Sequence, residues 1–128
     1  MAAPRVLIVE DERIVAIDLQ RRLTRLGYVV LAIASTGEDA IQKAVEMPPD
    51  IVLMDIRLQG AMDGVEAAGH IRARLDIPIV YMTAYSDERT LQQAGSGQSR
   101  LFIRKPFEEK ALRATLQRAL NEDQPKRV

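Results

Sequence analysis

Five side chains able to do chemistry stand at the ends of short apolar runs. Glu10 and Asp11 follow VLIV (6–9), Asp55 follows IVLM (51–54), Thr83 follows IVYM (79–82), and Lys105 lies just past LFI (101–103). An ionised carboxylate is costly to desolvate, so an acid delivered by an apolar run needs a reason. For Asp55 by itself, turn formation would be reason enough. In company the reading changes. Three carboxylates brought together repel one another and raise each other's pKa unless a cation intervenes. Oxygen donors, with no Cys and one His in the whole chain, suit Mg²⁺ or Mn²⁺. A carboxylate beside such an ion can act as a nucleophile toward phosphorus, with the cation and Lys105 neutralising the phosphoryl charge. The Thr83 hydroxyl can donate a hydrogen bond to a phosphoryl oxygen. Positioning and electrostatics dominate phosphoryl transfer, and these are its parts.

Whether the five groups meet depends on the elements that carry them. The four runs, and a fifth, YVVLAIA from Tyr28, are continuous rather than alternating. That pattern suits parallel strands covered on both faces. Helical patterns fill the intervals. Val15, Leu19, Leu23 and Leu26 recur at helical spacing within Glu12–Leu26, and Gly27 stops that helix. Ser35, with Glu38 three positions on, makes a capping box for a helix using Ile41, Ala44 and Val45, which ends before Pro48 and Pro49. Asp63 caps a third helix with Val65, Ala68, Ile71 and Leu75 on one face. Ser86 caps a short fourth, from Asp87 to about Ala94, which AGSGQS breaks. The last runs from about Phe107 to Leu120 on Leu112, Leu116, Ala119 and Leu120, and the polar tail NEDQPKRV is expected to fray. Strand and helix thus alternate five times, which predicts an α/β, doubly wound parallel sheet. In such sheets ligands gather beyond the carboxyl ends of the strands. The five groups are therefore expected on one rim.

Bulk composition narrows the remaining classes. The 128 residues, 47% hydrophobic and 28% charged, suit one globular domain spanning 1–128, with a core of about 5–120 and a polar tail at 121–128. Eighteen basic residues balance eighteen acidic ones, so no bulk field invites direct nucleic acid binding or an anionic membrane. The absence of Cys excludes disulfides and thiolate chemistry. No apolar stretch approaches the ~20 residues of a membrane span, and MAAPRVLIVEDE turns acidic too early for a signal peptide. A cytoplasmic location is expected.

VLIVEDE, IVLMDIRLQGAMDG, VYMTA and FIRKPF, in that order and at these strand ends, resemble the receiver domain of two-component response regulators, in its chemotaxis-regulator-like form. The resemblance implies a flavodoxin-like, five-stranded parallel sheet in the order 2-1-3-4-5 with five helices. It makes Asp55 the phosphoacceptor of an aspartyl phosphate, fed in a phosphorelay by a histidine kinase or phosphotransfer protein. It makes Asp11 a direct Mg²⁺ (or Mn²⁺) ligand, Glu10 the acid that holds the ion through water, and the Arg57 carbonyl a further ligand. Thr83 and Lys105 would grip the phosphoryl group, the Lys105–Pro106 bond would be cis, and Thr83 and Phe102 would form the switch. Without a hydroxyl to keep wet, Phe102 is expected to sit partly inward. Output would pass to a partner or domain, or a second copy, through the face of the fourth helix, fifth strand and fifth helix. Arg57 and Tyr85 would flank the water that hydrolyses the phosphate.

The chain departs from the family pattern in places. Glu10 replaces the commoner Asp, the loop from Asp55 to Asp63 is one residue longer with Gly60 expected to absorb the excess, and Arg104 takes a place often apolar. By this reading the chain is not an enzyme beyond its own phosphorylation and dephosphorylation. Two alternatives are a degenerate receiver that only binds proteins and a Mg²⁺-dependent aspartyl-phosphate phosphatase. The second resembles enzymes with Asp-x-Asp after their first strand, whereas Asp55 lies on the third run and is followed two residues on by Arg57. His70 falls off its helix's apolar stripe and reads as a solvated residue, not a phosphodonor.

Overall fold

The computed structural model describes residues 3–84 and 101–122. In chain order it contains β1 (Arg5–Val9), α1 (Arg13–Arg25), β2 (Val29–Ala34), α2 (Gly37–Glu46), β3 (Ile51–Asp55), α3 (Gly64–Arg74), β4 (Ile79–Thr83), β5 (Leu101–Arg104) and a C-terminal helix, α4 (Glu109–Glu122). The strands form one sheet in the order β2-β1-β3-β4-β5, all pairings parallel. The expected helix at 87–94 lies outside the described residues.

The continuous apolar runs have a direct explanation. Alternate strand residues point to opposite faces, and helices cover both. Val6, Ile8, Ile51, Leu53, Val80, Met82, Leu101 and Ile103 pack with Ala16, Leu19 and Leu23 of α1 and Leu112, Leu116 and Ala119 of α4. Leu7, Val9, Val52, Met54, Ile79 and Tyr81 pack with Ala40 and Ala44 of α2 and Ala67, Ala68 and Ile71 of α3. The stretches 6–9 of β1, 51–54 of β3 and 79–82 of β4 are hence apolar at every position. β2, at the sheet edge, is only partly buried along most of its length.

Three local expectations need correction. The α2 cap is Thr36, whose side chain accepts from the Asp39 amide at 3.0 Å, rather than Ser35. The buried face of α2 carries Ala40 and Ala44, and Val45, expected on that face, is exposed. Phe107 is not the first residue of the last helix: it is buried among the α1 and α4 side chains before the helix begins at Glu109. Asp63 does cap α3, accepting from the Glu66 amide at 2.9 Å. Gly27, after α1, has φ +95°, a conformation glycine adopts without penalty. His70 is exposed, as expected.

Candidate functional site

β1 and β3 lie side by side at the sheet centre, β4 borders β3, and β5 borders β4. Because all run parallel, their carboxyl ends share one rim. Glu10, Asp55 and Thr83 are buried there, at 1%, 5% and 0% exposure, and Asp11 is partly exposed. Carboxylate oxygens of Glu10, Asp11 and Asp55 all lie within 4.8 Å of one another. Lys105 reaches across from the far side of the site. Its Nζ donates to Glu10 Oε1 at 2.7 Å and to Asp55 Oδ2 at 3.1 Å.

Backbone contacts hold these groups in place. The Glu12 amide donates to Glu10 Oε2 at 3.1 Å, and the Arg57 amide to Asp55 Oδ1 at 3.3 Å. The Lys105 amide donates to the Thr83 carbonyl at 2.9 Å, which ties the chain beyond β5 to the end of β4. The Lys105–Pro106 bond is cis. The Thr83 hydroxyl donates to the Ala84 carbonyl at 2.7 Å, so in this state it is bonded to backbone beside the acids.

The electrostatics are those of too much negative charge in too little water. Burial foremost pushes the Glu10 carboxyl up to about 7; the Lys105 hydrogen bond opposes this and the neighbouring Asp55 adds to it. Burial alone would lower the Lys105 ammonium, but its hydrogen bond to Glu10 and the charges of Asp55 and Glu10 raise it instead. A compact set of oxygen donors, two of them buried and short of positive charge, fits a hard divalent cation. Glu10, Asp11 and Asp55 would hold it.

Gly60 adopts φ +104° in the loop after β3, where the extra residue was expected to be absorbed. Phe102 departs from expectation. It is 40% exposed, on the opposite side of β5 from the buried Leu101 and Ile103, rather than partly inward. Arg104 is likewise exposed, and Tyr85 lies outside the described residues. A residue missed by sequence reasoning is Gly64. Its amide donates to the Ile56 carbonyl at 2.8 Å, and its α-carbon faces the Asp55 peptide so closely that a Cβ would overlap the Asp55 carbonyl oxygen. The available signal was a glycine in the first turn of a helix, where it costs stability relative to alanine.

Residues 6–117 match the family model of the response regulator receiver domain. The chain belongs to this family. The receiver is 35% identical over 103 residues to transcriptional regulatory protein PdtaR of Mycobacterium tuberculosis, a match covering 80% of this chain and 50% of that protein. It thus spans about half the length of the curated relatives it matches. Among solved structures it is similar to the signal receiver domain of a modulated diguanylate cyclase from Desulfovibrio desulfuricans, with a TM-score of 0.87 and 38% identity over 94% of this chain and 96% of that one. It is also similar to the receiver domain of the sensor histidine kinase PA1611 from Pseudomonas aeruginosa, with a TM-score of 0.80 and 32% identity over 93% and 98% of the two chains. That receiver holds a magnesium ion in its active-site cleft. Among the described residues of the present receiver, no helix is long and apolar enough to cross a membrane.

Proposed function

We propose that this receiver takes a phosphoryl group on Asp55 from a histidine kinase or phosphotransfer protein in a Mg²⁺-dependent reaction, and that the modification controls an output partner or domain. The observation that carries the reading is the buried Asp55 carboxylate, ringed by Glu10, Asp11 and the Lys105 ammonium at one strand-end rim.

A bound Mg²⁺ would place positive charge beside the carboxylates and the transferring phosphoryl oxygens. The remaining work falls to the chain's own residues. An Asp55 carboxylate oxygen attacks phosphorus as the bond from phosphorus to the kinase imidazole nitrogen breaks, its electron pair returning to the imidazole. Lys105, already bonded to Asp55, turns its charge to the phosphoryl oxygens. Thr83 exchanges the Ala84 carbonyl for a phosphoryl oxygen as acceptor. Glu10 and Asp11 would hold the cation, with the Arg57 carbonyl as a further ligand. Turnover is confined to the receiver's own phosphorylation and dephosphorylation, with no external metabolite as substrate.

Intact mass spectrometry after incubation with acetyl phosphate, with and without EDTA, tests this. One phosphoryl group should appear only with divalent metal present, and Asp55→Asn should abolish it. Labelling that survives Asp55→Asn would sink the assignment.

A further inference from the structure

We propose that Gly64 is a positioning residue for the phosphoacceptor: having no side chain, it lets the first turn of α3 lie directly on the Asp55 peptide and so orients both Asp55 and the loop that carries the Arg57 carbonyl. The proposal rests on the reading of Asp55 above and extends it to a residue outside the ring of charged groups.

The contact is one of backbone with backbone. A Cβ at Gly64 would overlap the Asp55 carbonyl oxygen, come within 2.8 Å of the Asp55 carbonyl carbon and within 3.0 Å of the Ile56 α-carbon. None of these atoms is the free end of a flexible side chain. Asp55 is held by β3, which pairs with β1 on one side and β4 on the other, and the Ile56 amide donates to Met82 at 3.3 Å. A methyl group therefore cannot be absorbed locally. Either the Asp55 peptide tilts within a doubly paired strand, or α3 retreats and drags the loop with it. The hydrogen bond from the Gly64 amide to the Ile56 carbonyl, at 2.8 Å, closes the base of that loop. The Arg57 amide contact to Asp55 Oδ1 lies immediately inside it. Both routes of relief thus disturb the acceptor carboxylate or the Arg57 carbonyl.

Two other α-helical glycines provide contrast. A Cβ at Gly69, in the middle of α3, meets nothing within 4 Å. At Gly37 the three nearest atoms to such a Cβ are all in the Met62 side chain, at 3.1 Å, and none is backbone. Among the described glycines, closeness to the acceptor backbone is specific to Gly64.

The test compares wild type, Gly64→Ala and Gly69→Ala in the full chain by Mg²⁺ titration calorimetry, amide NMR in EDTA, and thermal melting. Gly64→Ala should weaken Mg²⁺ at least tenfold and displace the amide resonances of Asp55, Ile56 and Arg57 in metal-free protein. Gly69→Ala should leave both at wild-type values. A Gly64→Ala protein with lower melting temperature but wild-type Mg²⁺ affinity and unmoved 55–57 amides would overturn the proposal, because its glycine would then be structural only. If Gly64→Ala does not fold, the wild-type titration still decides. The Gly64 amide should shift with Mg²⁺ along the same isotherm as Arg57, and a stationary Gly64 amide would refute the coupling. Failure of the parent reading shows separately, as phosphorylation persisting in Asp55→Asn.

Discussion

Glu10 sits almost wholly out of water beside Asp55, and the cost falls on its ionised form. Its folded pKa of about 7 stands above the ordinary 4.5, with burial the leading cause. The native state therefore binds a proton that the unfolded chain gives up between those two values. In EDTA, stability contributed by protonated Glu10 is fully present below about pH 4.5, and is lost as pH rises through about 7. Melting in EDTA should accordingly show a Glu10-dependent loss of stability from pH 5 to pH 8, and Glu10→Gln should flatten that slope. A slope unchanged in Glu10→Gln would contradict the assignment. A divalent metal held by Glu10, Asp11 and Asp55 would work in the opposite sense, relieving their repulsion and stabilising the fold by binding the native state alone. Millimolar Mg²⁺ should raise the wild-type melting temperature at pH 8, by less in Glu10→Gln.

Each element presents its functional residue because of where it stops. β1, β3 and β4 carry uninterrupted apolar residues into two separate half-cores; Asp55 and Thr83 end β3 and β4 at the rim, and Glu10 directly follows β1 there. Helix starts are equally specific, and α2 shows how. Both Ser35 and Thr36 are competent caps by residue type, yet it is Thr36, with extended backbone (φ −133°, ψ 163°), whose side chain accepts from the Asp39 amide. Thr36→Ala should cost about 1 kcal/mol in urea unfolding, while Ser35→Ala, at an exposed residue before the cap, should fall within ~0.5 kcal/mol of wild type. Equal losses in the two variants would show that the cap is shared.

At the scale of the whole molecule, β5 is where the site meets the surface. Its Leu101 and Ile103 point into the core while Phe102 and Arg104 face out, and the Lys105 that follows grips Glu10 and Asp55. Lys105 also bonds the Thr83 carbonyl through its amide. If phosphate draws Thr83 off the Ala84 carbonyl, the disturbance passes along β4 and β5 toward the exposed Phe102, an aromatic with room to change its burial. Amide exchange with and without a beryllofluoride mimic should change at Thr83 and Ala84, from Leu101 to Phe107, and in the loop after Asp55. Changes concentrated on α2 and α3 would place the output face elsewhere.

Sequence alone determined the strand-helix alternation, because a strand covered on both faces needs apolar residues throughout and that leaves a continuous run. It also identified Asp55, Glu10, Asp11, Thr83 and Lys105, since charged and hydroxyl groups directly after such runs are conspicuous and a parallel sheet puts its carboxyl ends together. What it could not supply depended on atoms distant in the chain. Thr36 rather than Ser35 is the cap because the first turn of α2 brings the Asp39 amide to its hydroxyl, a choice that two adjacent hydroxyl residues leave open. Val45 faces solvent because α2 packs on the sheet through Ala40 and Ala44. Phe102 points outward because its neighbours Leu101 and Ile103 fill the core and strand residues alternate in direction. Gly64 stands against Asp55, nine positions before it, only because α3 folds back over the end of β3; a contact made possible by what a glycine lacks becomes visible only when its neighbour in space is known.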